Sequence, residues 1–164
     1  MYAHASQMRI GKVSQMLAIT VVAFPLNNEG MFRWIMSGKN ETKLWKLIKQ
    51  RTPRIRWNRI ENSVNRGFPD LIGSQANSHF FTVELKVANA SDTIVFSAHQ
   101  VAFHLTNYGS KFIMTTSRCQ SAVKLFQGTL ASEPRVKLTN HEPLFVVHDT
   151  HDLVQWDMLQ DLLV

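Results

Sequence analysis

Two carboxylates and an amine, Asp70, Glu84 and Lys86, stand in this sequence with a spacing that suits hydrolysis of a phosphodiester. That reaction needs a hard cation held by oxygen ligands, which polarises the phosphoryl group and acidifies a water. Mg²⁺ takes only one or two carboxylates, with water and phosphate filling the rest of its shell. A lysine beside it stabilises the negative charge that develops. From His79 to Val87, the residues Phe81, Val83, Leu85 and Val87 alternate with Phe80, Thr82, Glu84 and Lys86, which predicts a strand. Glu84 and Lys86 then project from one face, roughly 7 Å apart along it. The backbone carbonyl of Leu85, between them, is a further candidate ligand. Glu and Lys alternating on a strand are commonly a solvated face, and an Asp after Pro is commonly a turn. This strand, however, is apolar on both sides, where a charge is costly unless it is paired or bound to metal.

Other elements must bring these residues together. Asn40 is placed to cap a helix from Glu41 to Gln50, ended by Pro53, with Glu41, Leu44, Trp45 and Ile48 on one face. Residues 1–38 read as an irregular N-terminal extension with a turn at Asn27-Asn28-Glu29-Gly30. A strand follows from Arg54 to Asn62, then a loop from Ser63 to Pro69 in which Gly67 is the permissive residue. Asp70 to Gly73 is a short strand, and a hairpin turn at Gln75-Ala76-Asn77-Ser78 lays it beside the strand of Glu84. Ser97 caps a helix to Tyr108, with Gly109 as its stop, and Lys111 to Thr116 is again a strand. Strand, helix and strand in succession imply a right-handed crossover with parallel pairing. A helix from Arg118 to Gln127 stopped by Gly128, a strand from Leu144 to Val147 and an amphipathic helix from Thr150 to Leu163 complete the reading. The expectation is one α/β domain, a small mixed sheet flanked by helices, with its core at 39–128 and a C-terminal strand–helix extension at 129–164 packed on it.

Three separated stretches now form a pattern. Arg66-Gly67-Phe68-Pro69-Asp70-Leu71-Ile72-Gly73, Phe81-Thr82-Val83-Glu84-Leu85-Lys86 and Ser97-Ala98-His99-Gln100 resemble the PD-(D/E)XK nuclease superfamily, and within it most resemble the virus-type replication-repair (VRR-NUC) group. The resemblance spans about residues 40–127 and implies a restriction-endonuclease-like core. It implies that Asp70 and Glu84, with the Leu85 carbonyl, bind Mg²⁺ or Mn²⁺. Lys86 would act on the nucleophilic water or the scissile phosphate, and Gln100 would complete the site from the first turn of its helix. Glu41 stands where many members carry a first-helix acid that reaches the metal through water. Its place on the apolar face of its helix argues separately that it points inward, although a first-turn acid is also favoured by the helix dipole alone.

Charge distribution fits such a reading. The formal net charge is +6, and between Lys39 and Arg66 lie nine of the eighteen basic residues against only Glu41 and Glu61. A segregated basic region is the footprint of a polyanion-binding surface. Lys46, Lys49, Arg51, Arg54, Arg56, Arg59 and Arg66 are the expected DNA contacts, gripping phosphates without reading bases. Trp57 among them suits a core position better than base stacking. A chain of 164 residues buries roughly 70% of its unfolded surface and needs no disulfide. The single Cys119 fits a reducing compartment and a small core position. His148-Asp149-Thr150-His151 lacks the further ligands a zinc site requires, and reads as a turn with Asp149 or Thr150 as helix cap. His99 and His104, five apart, are poorly placed to chelate one ion.

These features point to a Mg²⁺-dependent DNA endonuclease, cytoplasmic in a bacterial or phage-infected cell. The resemblance to stand-alone VRR-NUC proteins implies selectivity for branched DNA such as Holliday junctions, and cutting two strands implies a homodimer. The alternatives are a restriction-type or general duplex nuclease, and a DNA-binding module that has lost catalysis. A third is a secreted basic protein led by the apolar run Met16 to Phe24, a run too short to span a membrane.

Overall fold

The alternating apolar run around Val83 and Leu85 becomes the central strand, and the remaining elements are layered on its two faces. The computed structural model describes residues 28–60, 67–75, 80–106, 109–119 and 121–163, and of residues 28–39 the backbone only. In chain order the elements are α1 (Asn28–Arg51), β1 (Arg56–Arg59), β2 (Leu71–Ser74), β3 (Phe81–Val87), β4 (Thr93–Val95), α2 (Ala98–Thr106), β5 (Ser110–Thr116), β6 (Val123–Gln127), β7 (Arg135–Lys137), β8 (Phe145–Val147) and α3 (Leu153–Leu162). Six strands form one sheet in the order β1-β2-β3-β5-β6-β8, and β4 pairs with β7 as a separate ribbon. Among the described residues only β3 and β5 run parallel, joined through α2 as the strand–helix–strand order predicts; the other pairs are antiparallel.

Period-two alternation assigns each side chain to a face. On one face Phe81, Val83 and Leu85 join Leu71, Met114, Leu125 and Val147, and Leu44 and Ile48 of α1 with Trp156 and Leu159 of α3 cover them. On the other, Ile113 and Phe126 pack under Val101 of α2, Leu130 and Ala131, with Ile94 and Val136 of the ribbon alongside. Each large apolar side chain so buried contributes about 1.5–3 kcal/mol. The sheet is thus sandwiched, and β8 and α3 are built into it. Trp57 belongs to the first layer, edge-on to Trp45 and Phe81, its Nε1–H donated to Thr52 Oγ1 at 2.8 Å.

Several expectations change. The helix expected from Glu41 begins at Asn28, so Asn28-Glu29-Gly30 is helical, Asn40 lies within the helix, and a boundary at residue 38 falls inside one element. A glycine inside a helix costs only about 1 kcal/mol, which Gly30 and Gly38 do not raise enough to end it. The stretch from Arg118 to Gln127 holds a strand, not a helix: Val123 and Leu125 are buried on one face and Phe126 on the other, and β5 and β8 pair with it on both sides. Short apolar runs read equally as either type, and non-local pairing decides. The cap of α3 is Asp152, whose side chain accepts from the Val154 and Gln155 amides, and not Asp149 or Thr150. Cys119 is exposed and not a core residue; hydrogen bonds from Ser117 and Ser121 lower its thiol to about 7. The β4–β7 ribbon has no counterpart in the sequence reading. The apolar run Met16 to Phe24 and the hairpin residues 76–78 lie outside the described residues. No helix among those described is long and apolar enough to cross a membrane.

Candidate active site

Register brings the two carboxylates together. Leu71 of β2 stands opposite Val83 of β3, so Asp70, one residue before β2, falls opposite Glu84. Asp70 Oδ2 accepts the Leu85 N–H at 2.8 Å, which fixes the carboxylate at the end of the ladder. Glu84 is 0% exposed, and Lys86, two residues on and on the same face, donates to Glu84 Oε1 at 2.8 Å. Gln100 joins from α2: Lys86 Nζ donates to its Oε1 at 3.2 Å, and its Nε2 donates to Glu84 Oε1. Glu84 Oε2 is buried with no hydrogen-bond partner.

Gln100 holds this position through its helix cap. Ser97 Oγ accepts the Gln100 N–H at 3.2 Å, and the Ser97 N–H is donated to Gln100 Oε1 at 2.9 Å. This reciprocal box satisfies amides that the first turn of a helix otherwise leaves unpaired. One side chain therefore caps α2 and completes the polar cluster. Glu41 lies close enough for its charge to act on both Glu84 and Lys86.

The loop that delivers Asp70 is pressed against the same turn. Gly67 has φ +108, and a Cβ there would sit 2.5 Å from His99 Cβ. Gly67→Ala should therefore cost roughly 2–4 kcal/mol, from backbone strain and overpacking together. The urea-unfolding midpoint reads the loss. An unchanged midpoint would mean that the loop stands off α2.

Burial dominates the electrostatics. Loss of solvent pushes the Asp70 carboxyl up, against the lowering effects of the Leu85 amide, Lys86 and Arg59. Glu84 is pushed up to about 8, first by burial and further by the charges of Asp70 and Glu41, with Lys86 opposing. Burial alone would lower Lys86, but Glu84, with the charges of Glu41 and Asp70 adding, outweighs it and holds the amine above its ordinary value.

Among the described residues no three His, Cys, Asp or Glu groups gather into a cage for an ion. Asp70 and Glu84 are a pair, which is the carboxylate number a magnesium-type site uses. The bare, buried Glu84 Oε2 is an oxygen of the kind that such an ion takes. His104 is no ligand: it is buried against Phe96 and Phe103, and desolvation, with Lys111 and Lys86 adding, drops it to about 4. Sequence reasoning missed Phe96, whose ring lies 5.5 Å from Lys86 Nζ as the apolar floor under the ammonium. Nothing in its position next to the Ser97 cap signals that contact.

The basic residues divide. Lys46, Lys49, Arg56 and Arg59 are exposed, and the Arg59 charge acts on Asp70. Arg51 is half-buried and faces His151 Nδ1 at 3.4 Å. Arg54 is bound within the chain, to Asp161 at 2.9 Å, Asp157 at 3.7 Å and the Asp157 carbonyl at 2.8 Å. The acids of α3 thus neutralise one of the arginines expected on DNA. Arg66 lies outside the described residues.

No family model matches the chain, and no curated protein matches it in sequence. Among solved structures, it is similar to Hjc, a Holliday junction resolvase from the archaeal hyperthermophile Archaeoglobus fulgidus, at 10% identity and a TM-score of 0.46, over 77% of this chain and 99% of that one.

Proposed function

We propose that this chain is a metal-dependent DNA endonuclease that uses Asp70, Glu84, Lys86 and Gln100, with Glu41 behind them. The observation that carries the reading is the meeting of a buried and a half-buried carboxylate at one register position, where a lysine and a glutamine bind one oxygen of Glu84 and leave the other bare. Asp70 and Glu84, with the Leu85 carbonyl and with Glu41 through a water, would hold Mg²⁺ or Mn²⁺, which supplies Lewis acidity and an acidified water.

The chain's own groups do the rest. Lys86 presents its ammonium beside the attacked phosphate and stabilises the charge that forms there. Gln100 restricts where that ammonium points, and the Phe96 ring beneath keeps water from its lower side. Arg59, Arg56, Lys46 and Lys49 grip the phosphate backbone and so leave specificity to DNA shape. The finer reading is selectivity for branched DNA and action as a homodimer, on the resemblance of the three motifs to stand-alone VRR-NUC proteins.

The grip is separately testable. Arg56→Ala and Lys46→Ala should each lower the salt slope of DNA binding by about 1, the value for one lost phosphate contact. Arg54→Ala should leave the slope nearly unchanged, because Asp157 and Asp161 already hold that side chain. Fluorescence anisotropy of a labelled duplex across a salt series gives all three values.

The deciding experiment is cleavage of a labelled four-way junction and a matched linear duplex with Mg²⁺ or Mn²⁺, by wild type and Glu84→Ala. Paired cuts in the junction, lost in the variant, support the full reading. Equal cutting of both substrates keeps the nuclease and removes the junction. Tight binding with no cutting by wild type turns the reading to a DNA-binding module.

A further inference from the structure

The face of the sheet that carries Glu84 and Lys86 also carries two hydroxyls that the site described above does not use. Thr82 and Thr115 each hold Oγ1 buried without a hydrogen-bond partner. The parallel register sets Thr82 against Lys111 and Thr115 against Lys86. On its other side Thr115 is paired with Lys124, whose ammonium is drawn away to Asp92 Oδ2 at 3.7 Å. Thr115 is 1% exposed. Paired strands lie about 4.8 Å apart, so the Thr115 and Lys86 side chains rise from neighbouring positions on one face, with the hydroxyl unbonded in this structure.

A buried hydroxyl with nothing bound destabilises a fold by roughly 1–3 kcal/mol. Valine has nearly the same shape, prefers strands as strongly and carries no such cost. Folding alone gives little reason for threonine at this position. Lys86 gives one. An ammonium has three N–H donors, and Lys86 directs one to Glu84 Oε1 and one to Gln100 Oε1. We propose that Thr115 is a positioning residue for Lys86: its hydroxyl, unbonded in this structure, is the acceptor that the third N–H takes up on a small turn of the lysine side chain, and it holds the ammonium toward the substrate when Glu84 is engaged elsewhere. The proposal rests on the nuclease reading for its purpose, though not for its geometry.

Thr115→Val and Thr115→Ser separate the possibilities. With Thr115→Val the urea midpoint should stay level or rise, while kcat on the best DNA substrate falls about tenfold at little-changed KM. Thr115→Ser, which restores a hydroxyl, should recover most of that rate. A second readout needs no activity: the ¹⁵N spectrum of the lysine ammonium groups, with the Lys86 signal assigned by its loss in Lys86→Met. That signal should persist in wild type and Thr115→Ser and be broadened by fast exchange in Thr115→Val. Wild-type cutting by Thr115→Val with its Lys86 signal intact overturns the proposal. So does a parallel fall in midpoint and rate with the signal intact, which would make the hydroxyl merely structural. If wild type cuts nothing, the nuclease reading fails by itself, and the ammonium spectrum alone decides whether Thr115 holds Lys86.

Discussion

Lys86→Met should lower cleavage roughly a thousandfold, the scale seen when a preorganised charge is taken from a reacting phosphate or oxyanion. The same change should destabilise the fold, and by an amount that depends on pH. Removing one partner of a buried ion pair costs about 3 kcal/mol when the other stays charged. Lys86 is the largest influence holding the Glu84 carboxyl down. Without it Glu84 stays protonated further into the alkaline range, so the penalty should be small near pH 6 and grow by about 1 kcal/mol between there and pH 9, as pH passes the wild-type Glu84 value of about 8. Urea titrations of wild type and variant at both pH values test this. A penalty that is the same at both would show that the pair is solvated and not buried.

The second large effect concerns Glu84 in the metal-free protein. Its folded pKa, about 8, lies above the ordinary 4.5. A raised carboxyl gives its full contribution below the unfolded value and loses it as pH climbs through the folded one. Stability in a chelating buffer should therefore decline between about pH 4.5 and 8, and Glu84→Gln should flatten that decline because a neutral amide has no charge to bury. The same carboxyl must shed its proton to bind a cation, so cation affinity should increase with pH over this window. Calorimetric Mn²⁺ titrations at pH 6 and 8 give the comparison. Equal affinities would place the binding carboxylate elsewhere. Glu84→Gln should also abolish cleavage at every pH, with a loss on the order of a thousandfold.

What the sequence shows of this site is what local rules govern. Alternation along one strand is enough to put Glu84 and Lys86 on one face, and the Ser97–Gln100 spacing is enough to open α2 with a cap. Asp70 is legible because Gly67 and Pro69 shape the loop before it, and a hairpin then sets the register. What escapes is long-range. The pairing of Thr115 with Lys86 depends on a parallel register across 29 residues, which no local pattern carries. Val123 to Gln127 has no period strong enough to choose strand over helix, and the two strands that flank it make the choice. Arg54 looks like its basic neighbours until α3, a hundred residues later, supplies Asp157 and Asp161. Phe96 takes its place through packing, and nothing adjacent to it in sequence announces it, whereas the apolar face that Glu41 shares with Leu44, Trp45 and Ile48 already turns it inward.

The parallel pairing of β3 with β5 also sets an order of assembly. Asp70 and Glu84 are joined by an antiparallel hairpin, a short loop that closes at little entropic cost. Lys86 meets Thr115 only after the whole crossover through α2 has docked, and such non-local contacts form late. A nascent or partly folded chain would hold two acidic groups side by side before Gln100 and the floor formed by Phe96 arrive to confine the lysine. In such a chain the two carboxylates would repel each other, and a divalent cation held between them would relieve that repulsion. Divalent ions should thus speed refolding as well as serve the finished protein, with the acceleration lost in Glu84→Gln. The same groups that are proposed to cut DNA would then act first as a kinetic staple for their own fold.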